Sequence, residues 1–234
     1  MGVGGTGDLT QPGRKIRSFV RREGRMTAAQ QSALDELWPR WGIPLHAALK
    51  DVFSAFDDCG LPPQQHCQRI MEIGFGMGDS LFAQAKADSE SCFLGVEPHR
   101  PGVGHLLNLI DGEGIGNLRL VCGDALDVLE HHLPVESLHK LQVFFPDPWP
   151  KKRHHKRRLV NPAFVRLAAS RLCSGGVLHL ATDWHPYAEY MLETLSQMTE
   201  TLVPCEPPLR IKTKYEARGE RLGHAIQELA FQKI

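Results

Sequence analysis

Between positions 69 and 181 the chain repeats one pattern five times, and this limits its fold more than any other feature. Short apolar or β-branched runs at 69–73, 92–97, 118–122, 141–145 and 177–181 each stop at a glycine, a proline or an acidic residue, and helix-compatible stretches of about 10 to 20 residues separate them. Strands alternating with helices at this spacing are βαβ units, which build a parallel sheet covered by helices on both faces. Two further strand candidates, Leu202 to Cys205 and Ala225 to Phe231, and a helix end at Met191 to Met198 complete an α/β pattern.

The first quarter of the chain differs. Residues 1–25 are Gly-rich and then basic, with Arg14, Lys15, Arg17, Arg21, Arg22 and Arg25 inside twelve positions, which reads as a flexible arm. From Thr27 the run AAQQSALDELWPRW predicts a helix N-capped by Thr27 and ended by Pro39, and a second helical piece is expected from Pro44 to about Asp58. The Pro62-Pro63 pair marks a boundary. The expected organisation is an arm at 1–25 and one domain at 26–234, with a helical N-terminal part at 26–62 and an α/β core at 63–234.

Composition excludes several classes. At 42% hydrophobic and 23% charged residues the chain reads as soluble and globular, large enough for one sizeable core. No run approaches the roughly 20 apolar residues of a membrane span, and the first thirty lack the apolar centre of a secretion signal, so a cytoplasmic protein is expected. The six cysteines contain no C-x-x-C pair, which argues against both a disulfide framework and a zinc site, and no metal is expected. Lys plus Arg equal Asp plus Glu at 27 each, which on its face disfavours a nucleic-acid binder, yet twelve of the bases sit in two short segments, 14–25 and 151–158.

The first strand of the repeat runs into Met71-Glu72-Ile73-Gly74-Phe75-Gly76-Met77-Gly78-Asp79. Glycines there allow positive φ and close approach of a ligand to the backbone, and the helix that follows offers free N–H groups. The dinucleotide fingerprint G-x-G-x-x-G requires a third glycine where Asp79 stands, and an acid at that helix start repels a pyrophosphate. A ligand carrying positive charge fits better. The second strand ends at Glu97, about 20 residues beyond the loop, where a carboxylate accepts the two ribose hydroxyls of a nucleoside, and the third ends at Asp124.

The fourth strand leads into Phe144-Phe145-Pro146-Asp147-Pro148-Trp149-Pro150, then eight residues, Lys151 to Arg158, holding six Lys or Arg, two His and no acid. Asp147, between two prolines, is confined to extended conformations, so the backbone aims its carboxylate. Trp149 is either a hydrophobic plug or a stacking surface, and the basic run beside a ligand site suits phosphates.

Four segments in order, MEIGFGMG (71–78), FFPDPWPKKRHHKRR (144–158), TDWHPYAEYM (182–191) and TKYEARGERLGHAIQELAF (213–231), resemble the bacterial tRNA (guanine-N7)-methyltransferase family, and the resemblance covers the chain from about Ile16 onward. It implies a Rossmann-like class I methyltransferase fold with a mostly parallel seven-stranded sheet and an N-terminal helical extension. It implies S-adenosylmethionine as methyl donor and tRNA as partner, with methylation at N7 of guanine 46 in the variable loop, by a monomer or homodimer. Carried over by residue, it implies donor contacts at Glu72, Gly74, Gly76, Gly78, Glu97, Asp124 and Asp147, with Asp147 also catalytic. Substrate contacts are implied at Lys151, Asp183, Thr213, Lys214, Tyr215 and Glu216, and RNA contacts at Arg153, His154, His155, Lys156, Arg157 and Arg158.

Guanine N7 has an in-plane lone pair and no proton to lose, so the reaction calls for alignment and charge stabilisation rather than a general base. Methylation of another RNA or protein nitrogen, and a non-enzymatic RNA-binding platform of the same fold, are the alternatives.

Overall fold

The computed structural model describes residues 25–57, 67–212, 216 and 225–234. The arm through position 24, the Pro62-Pro63 pair and the candidate site residues Thr213, Lys214 and Tyr215 lie outside the described residues.

Seven strands form one sheet in the order β3-β2-β1-β4-β5-β7-β6. They are β1 (Arg69–Ile73), β2 (Cys92–Val96), β3 (Leu118–Val121), β4 (Leu138–Phe144), β5 (Leu172–Thr182), β6 (Leu202–Pro204) and β7 (Gln227–Lys233). The first five are parallel, while β7 runs antiparallel to both β5 and β6. The helices α3 (Asp79–Ala87), α4 (Arg100–Glu113), α5 (Ala125–His131), α6 (Pro162–Arg171) and α7 (His185–Ser196) follow β1 to β5 in turn, after α1 (Ala28–Glu36) and α2 (Trp38–Trp41).

The strands are apolar on successive positions because both faces are covered. Ile70, Phe93, Leu118 and Leu120 pack with α1, α3 and α4 on one face, through Ala33, Leu81, Leu106 and Ile110. Met71, Leu94, Val96, Leu141 and Leu178 pack with α5, α6 and α7 on the other, through Val128, Phe164 and Met191. Burying either set stabilises the fold by roughly 1.5–3 kcal/mol per large side chain, before the entropy of ordering it.

Thr27 caps α1 as the sequence predicts, in a reciprocal box with Gln30. Two expectations for this region fail. Pro39 does not end the helix, which closes at Glu36; it lies in the first turn of α2, where its missing N–H costs nothing. Residues 44–51 are not helical, and only Val52–Phe56 forms a short 3-10 turn, capped by Asp51. Backbone bonds to the core explain this, since Ile43 N–H donates to Leu120 O at 2.8 Å and Val52 N–H to His132 O at 3.0 Å. These bonds pull the segment out along the core rather than letting it coil on itself. Among the described cysteines all are free thiols, with Cys67 and Cys92 buried.

Candidate active site

After β1 the chain turns through Gly74, Gly76 and Gly78 at φ 75°, 61° and 83°, and Gly78 begins α3. Side chains rarely adopt this backbone. The helix that covers the loop must also be glycine where it meets it, since a Cβ on Gly102 of α4 would lie 1.9 Å from the Gly76 carbonyl oxygen.

The loop walls a cavity of about 210 Å³ lined also by Glu97 beyond β2, Asp124 beyond β3, and Phe144 to Asp147 at the end of β4. It lies at the carboxyl ends of the strands where the order reverses around β1, the place where open α/β sheets bind ligands.

Glu97 is 8% exposed and accepts two backbone hydrogen bonds, from Gly76 N–H to Oε2 and from His99 N–H to Oε1, both at 2.9 Å. It therefore ties the glycine loop to the start of α4 while its remaining lone pairs face the cavity. Burial raises its pKa above the usual carboxylate value, the two N–H bonds oppose this, and the charge of Asp147 adds to it. Asp124 caps α5, accepting from Leu126 N–H at 3.0 Å through Oδ1. It is both a helix cap and a wall of the cavity.

Asp147 is exposed at the cavity rim, and among the described residues none hydrogen-bonds its carboxylate. The segment carrying it is bracketed by two non-glycine residues at positive φ, Phe145 at 52° and Trp149 at 45°. Each costs on the order of 1–3 kcal/mol, and such strain persists where the surroundings impose it. The surroundings here are Ala181 O, which accepts from Phe145 N–H at 2.8 Å, and Pro148 O, which accepts from Arg158 Nε–H at 3.0 Å.

The basic run forms a 3-10 turn, Lys152–Arg157, beside this rim. Lys151, Lys152, Arg153 and Lys156 are exposed. Arg158 is not: it is 4% exposed, with its guanidinium 4.8 and 5.1 Å from the Tyr187 and Tyr190 rings and 3.2 Å from His155 Nε2. Of the six residues the resemblance assigns to RNA, Arg158 is therefore the one held inside the protein, with Nε and Nη2 directed at Pro148 O and His155. Trp149 is half-buried, with Arg157 4.9 Å over its ring and the His154 ring edge-on at 5.8 Å. Partial burial and then the charges of Arg153, Arg157, Lys151 and Lys156 hold His154 below the ordinary imidazole value.

Glu72 points to the other face of β1. It is 3% exposed beneath α3, accepts from Gln84 Nε2–H at 3.4 Å, and does not line the cavity. Burial pushes its pKa from 4.5 up to about 8, against the Gln84 bond and the charge of Arg210 and with that of Glu97, so it is a neutral acid at pH 7. A folded-state pKa above the unfolded one makes stability from this group full below about pH 4.5 and lost as pH rises through about 8. Glu72→Gln, which stays neutral, is expected to gain stability over the native protein across that window, by on the order of 2 kcal/mol at pH 9. Denaturant melts of both proteins from pH 5 to 9 check this; a gap that does not widen with pH refutes it.

Sequence reasoning named Glu216 but missed the charged cluster around it, at the carboxyl edge of β4 and β5 beside the cavity. Arg210, 4% exposed at its side chain, donates to Glu216 and lies against Glu228, which is also 2.7 Å from His179 Nε2. Burial and the Arg210 charge outweigh Glu228 and keep His179 below its usual pKa. Asp183 is half-buried where β5 gives way to α7.

Residues 67–229 match a family model described as "Putative methyltransferase". The tRNA (guanine-N(7)-)-methyltransferase of Alkalilimnicola ehrlichii is 50% identical over 228 residues, covering 94% of this chain and 93% of its own length. That of Nitrosococcus oceani is 48% identical over 230 residues, covering 97% and 94%. The chain belongs to the tRNA (guanine-N7)-methyltransferase family. The solved aminoglycoside resistance methyltransferase NpmB1 shares the fold at TM-score 0.56 and 14% identity, over 81% of this chain and 98% of that one. The 16S rRNA methyltransferase KamB does so at 0.54 and 13%, over 79% and 94%. The architecture is thus that of class I methyltransferases. Of the donor residues that the family resemblance implies, Gly74, Gly76, Glu97, Asp124 and Asp147 meet at the cavity, whereas Glu72 and Gly78 do not line it. Among the described residues no helix is long and apolar enough to cross a membrane, and no cluster of His, Cys, Asp and Glu is arranged to hold a metal ion.

Proposed function

We propose that this protein transfers a methyl group from S-adenosylmethionine to N7 of guanine 46 in the variable loop of tRNA, in the cytoplasm, with residues 26–234 acting as one methyltransferase domain. The observation that carries the reading is the convergence of Glu97, Asp124 and Asp147 on one cavity beside an exposed basic turn, in a chain of this family. Three carboxylates around a glycine loop fit a sulfonium cation on an adenosine and do not fit a pyrophosphate. When bound, the donor supplies the methyl as an electrophile that carries its own leaving group.

The protein's own residues do the rest. Glu97, already tied to Gly76 and His99, accepts the ribose hydroxyls and thereby sets the donor's position along the sheet. Asp147 stabilises the positive charge that the purine gains as the bond forms; while ionised it is an acceptor and cannot bond N7 or O6 directly. Asp183 and Glu216 take the guanine N1–H and amine, which are donors, and Lys151 with Lys152, Arg153 and Lys156 neutralises phosphates of the loop. The guanine leaves the tRNA stack to reach the cavity.

Incubation of unmodified tRNA with the protein and S-adenosylmethionine, followed by nuclease digestion and mass spectrometry, should yield 7-methylguanosine from the variable loop, and none when that guanine is replaced. Methyl found on an exocyclic amine, on another RNA or on protein would overturn the assignment.

A further inference from the structure

We propose that Arg210 is a positioning residue that holds Glu216 for guanine recognition beside the catalytic loop, an inference that rests on the reading above. A carboxylate that reads a base must keep its aim, and Glu216 is only 6% exposed. Arg210 supplies that condition. Its Nη1 donates to Glu216 Oε2 and its Nη2 to Glu228 Oε2 at 3.3 Å, while its Nε lies 3.2 Å from Glu228 Oε1 without the alignment of a hydrogen bond. Glu228 belongs to β7 and is braced by His179 on β5, so the clamp is anchored in the sheet.

The flat side of the same guanidinium faces the rings of Phe144 and Phe145, at 5.2 and 5.9 Å. Both rings line the donor cavity, and Phe145 is the left-handed residue two positions before Asp147. One side chain therefore fixes the distance between the substrate carboxylate and the Pro-Asp-Pro segment. An open cavity of about 360 Å³, bordered by Arg210, Lys212, Glu216 and Glu228, adjoins the clamp. Lysine cannot substitute, because a point charge neither forks between two carboxylates nor stacks on rings.

The test uses the full-length enzyme with Arg210→Gln, Arg210→Lys, Glu216→Gln and the double variant Arg210→Gln/Glu216→Gln. Steady-state kinetics are run separately in tRNA and in S-adenosylmethionine, alongside the thermal shift produced by S-adenosylhomocysteine. The expected result is a KM for tRNA raised about tenfold or more in each single variant, as one charged hydrogen bond is worth, with KM for the donor and the thermal shift unchanged. The double variant is no worse than Glu216→Gln alone, because Arg210 acts through that carboxylate. A purely structural arginine would lower stability without separating the two KM values, and losses that multiply in the double variant, or unchanged KM for tRNA in Arg210→Lys, overturn the proposal. If Arg210→Gln does not fold, Arg210→Lys decides on the same split. A wild-type protein that methylates no tRNA guanine defeats the underlying function, a different result from normal methylation with indifferent Arg210 variants.

Discussion

Asp147→Ala is expected to lower kcat by about 100- to 1,000-fold, the range for removing one preorganised charge-stabilising group from a reacting centre. The same change should leave the melting temperature nearly untouched. Asp147 is exposed, no described residue hydrogen-bonds it, and surface substitutions of that kind usually move stability by less than about 0.5 kcal/mol. The left-handed Phe145 and Trp149 keep the loop bent whatever side chain stands between the prolines. Asp147→Asn separates charge from shape: it is nearly isosteric, so a loss as deep as that of alanine shows that charge stabilises the transition state. Single-turnover methylation at saturating donor and tRNA measures the step directly. Either variant methylating at the native rate would remove Asp147 from the mechanism.

Most of the sheet was legible because burial on both faces makes each central strand an apolar run, and each run stops where the chain must turn toward the ligand. Direction was not legible. Nothing in Leu202–Pro204 or Gln227–Lys233 encodes that β7 reverses between β5 and β6, because apolar character is the same for either orientation. The segment at 44–51 misled for a related reason, since its helix-compatible residues are held out by backbone bonds to Leu120 and His132, partners about 80 residues away.

That Glu97, Asp124 and Asp147 share one cavity could be read, because in a parallel sheet the strand ends lie on one edge, whereas the side of β1 to which Glu72 points could not. Arg158 could not be told from the five other bases in its run; what removes it from the surface is Tyr187 and Tyr190, on a helix three elements later. Arg210 follows Pro207-Pro208-Leu209 as the first of three alternating bases with Lys212 and Lys214, with no local sign of its role, and its meaning arises only from Glu216, Glu228 and Phe144 converging on it. One clue was available: Gln142 and His179 interrupt the apolar runs of adjacent strands at paired positions, so a polar layer had to cross that part of the sheet.

In the proposed donor site Glu97 takes the ribose, and Glu97→Gln should be almost as damaging as removal of the side chain. The carboxylate accepts from Gly76 N–H with one oxygen and from His99 N–H with the other. A glutamine has one acceptor, so in either amide orientation an NH₂ group faces a backbone N–H in a site only 8% exposed. That leaves a buried donor unpaired at a cost of about 1–3 kcal/mol and loosens the glycine loop from the start of α4. The ribose loses as well, because two hydroxyls that donated to one carboxylate now meet a single acceptor and no charge. Together these effects should weaken S-adenosylhomocysteine binding by about 100-fold or more, since each 1.4 kcal/mol is tenfold. Titration calorimetry on the folded variant reads the affinity, and a melt without ligand reads the loop's share separately. In the native enzyme the raised pKa of Glu97 adds a pH signature: ribose binding needs the carboxylate ionised, so affinity should fall on acidification at a higher pH than an ordinary glutamate would give. Affinity within about threefold of native in Glu97→Gln would mean that the side chain only tethers the loop and that the ribose is held elsewhere.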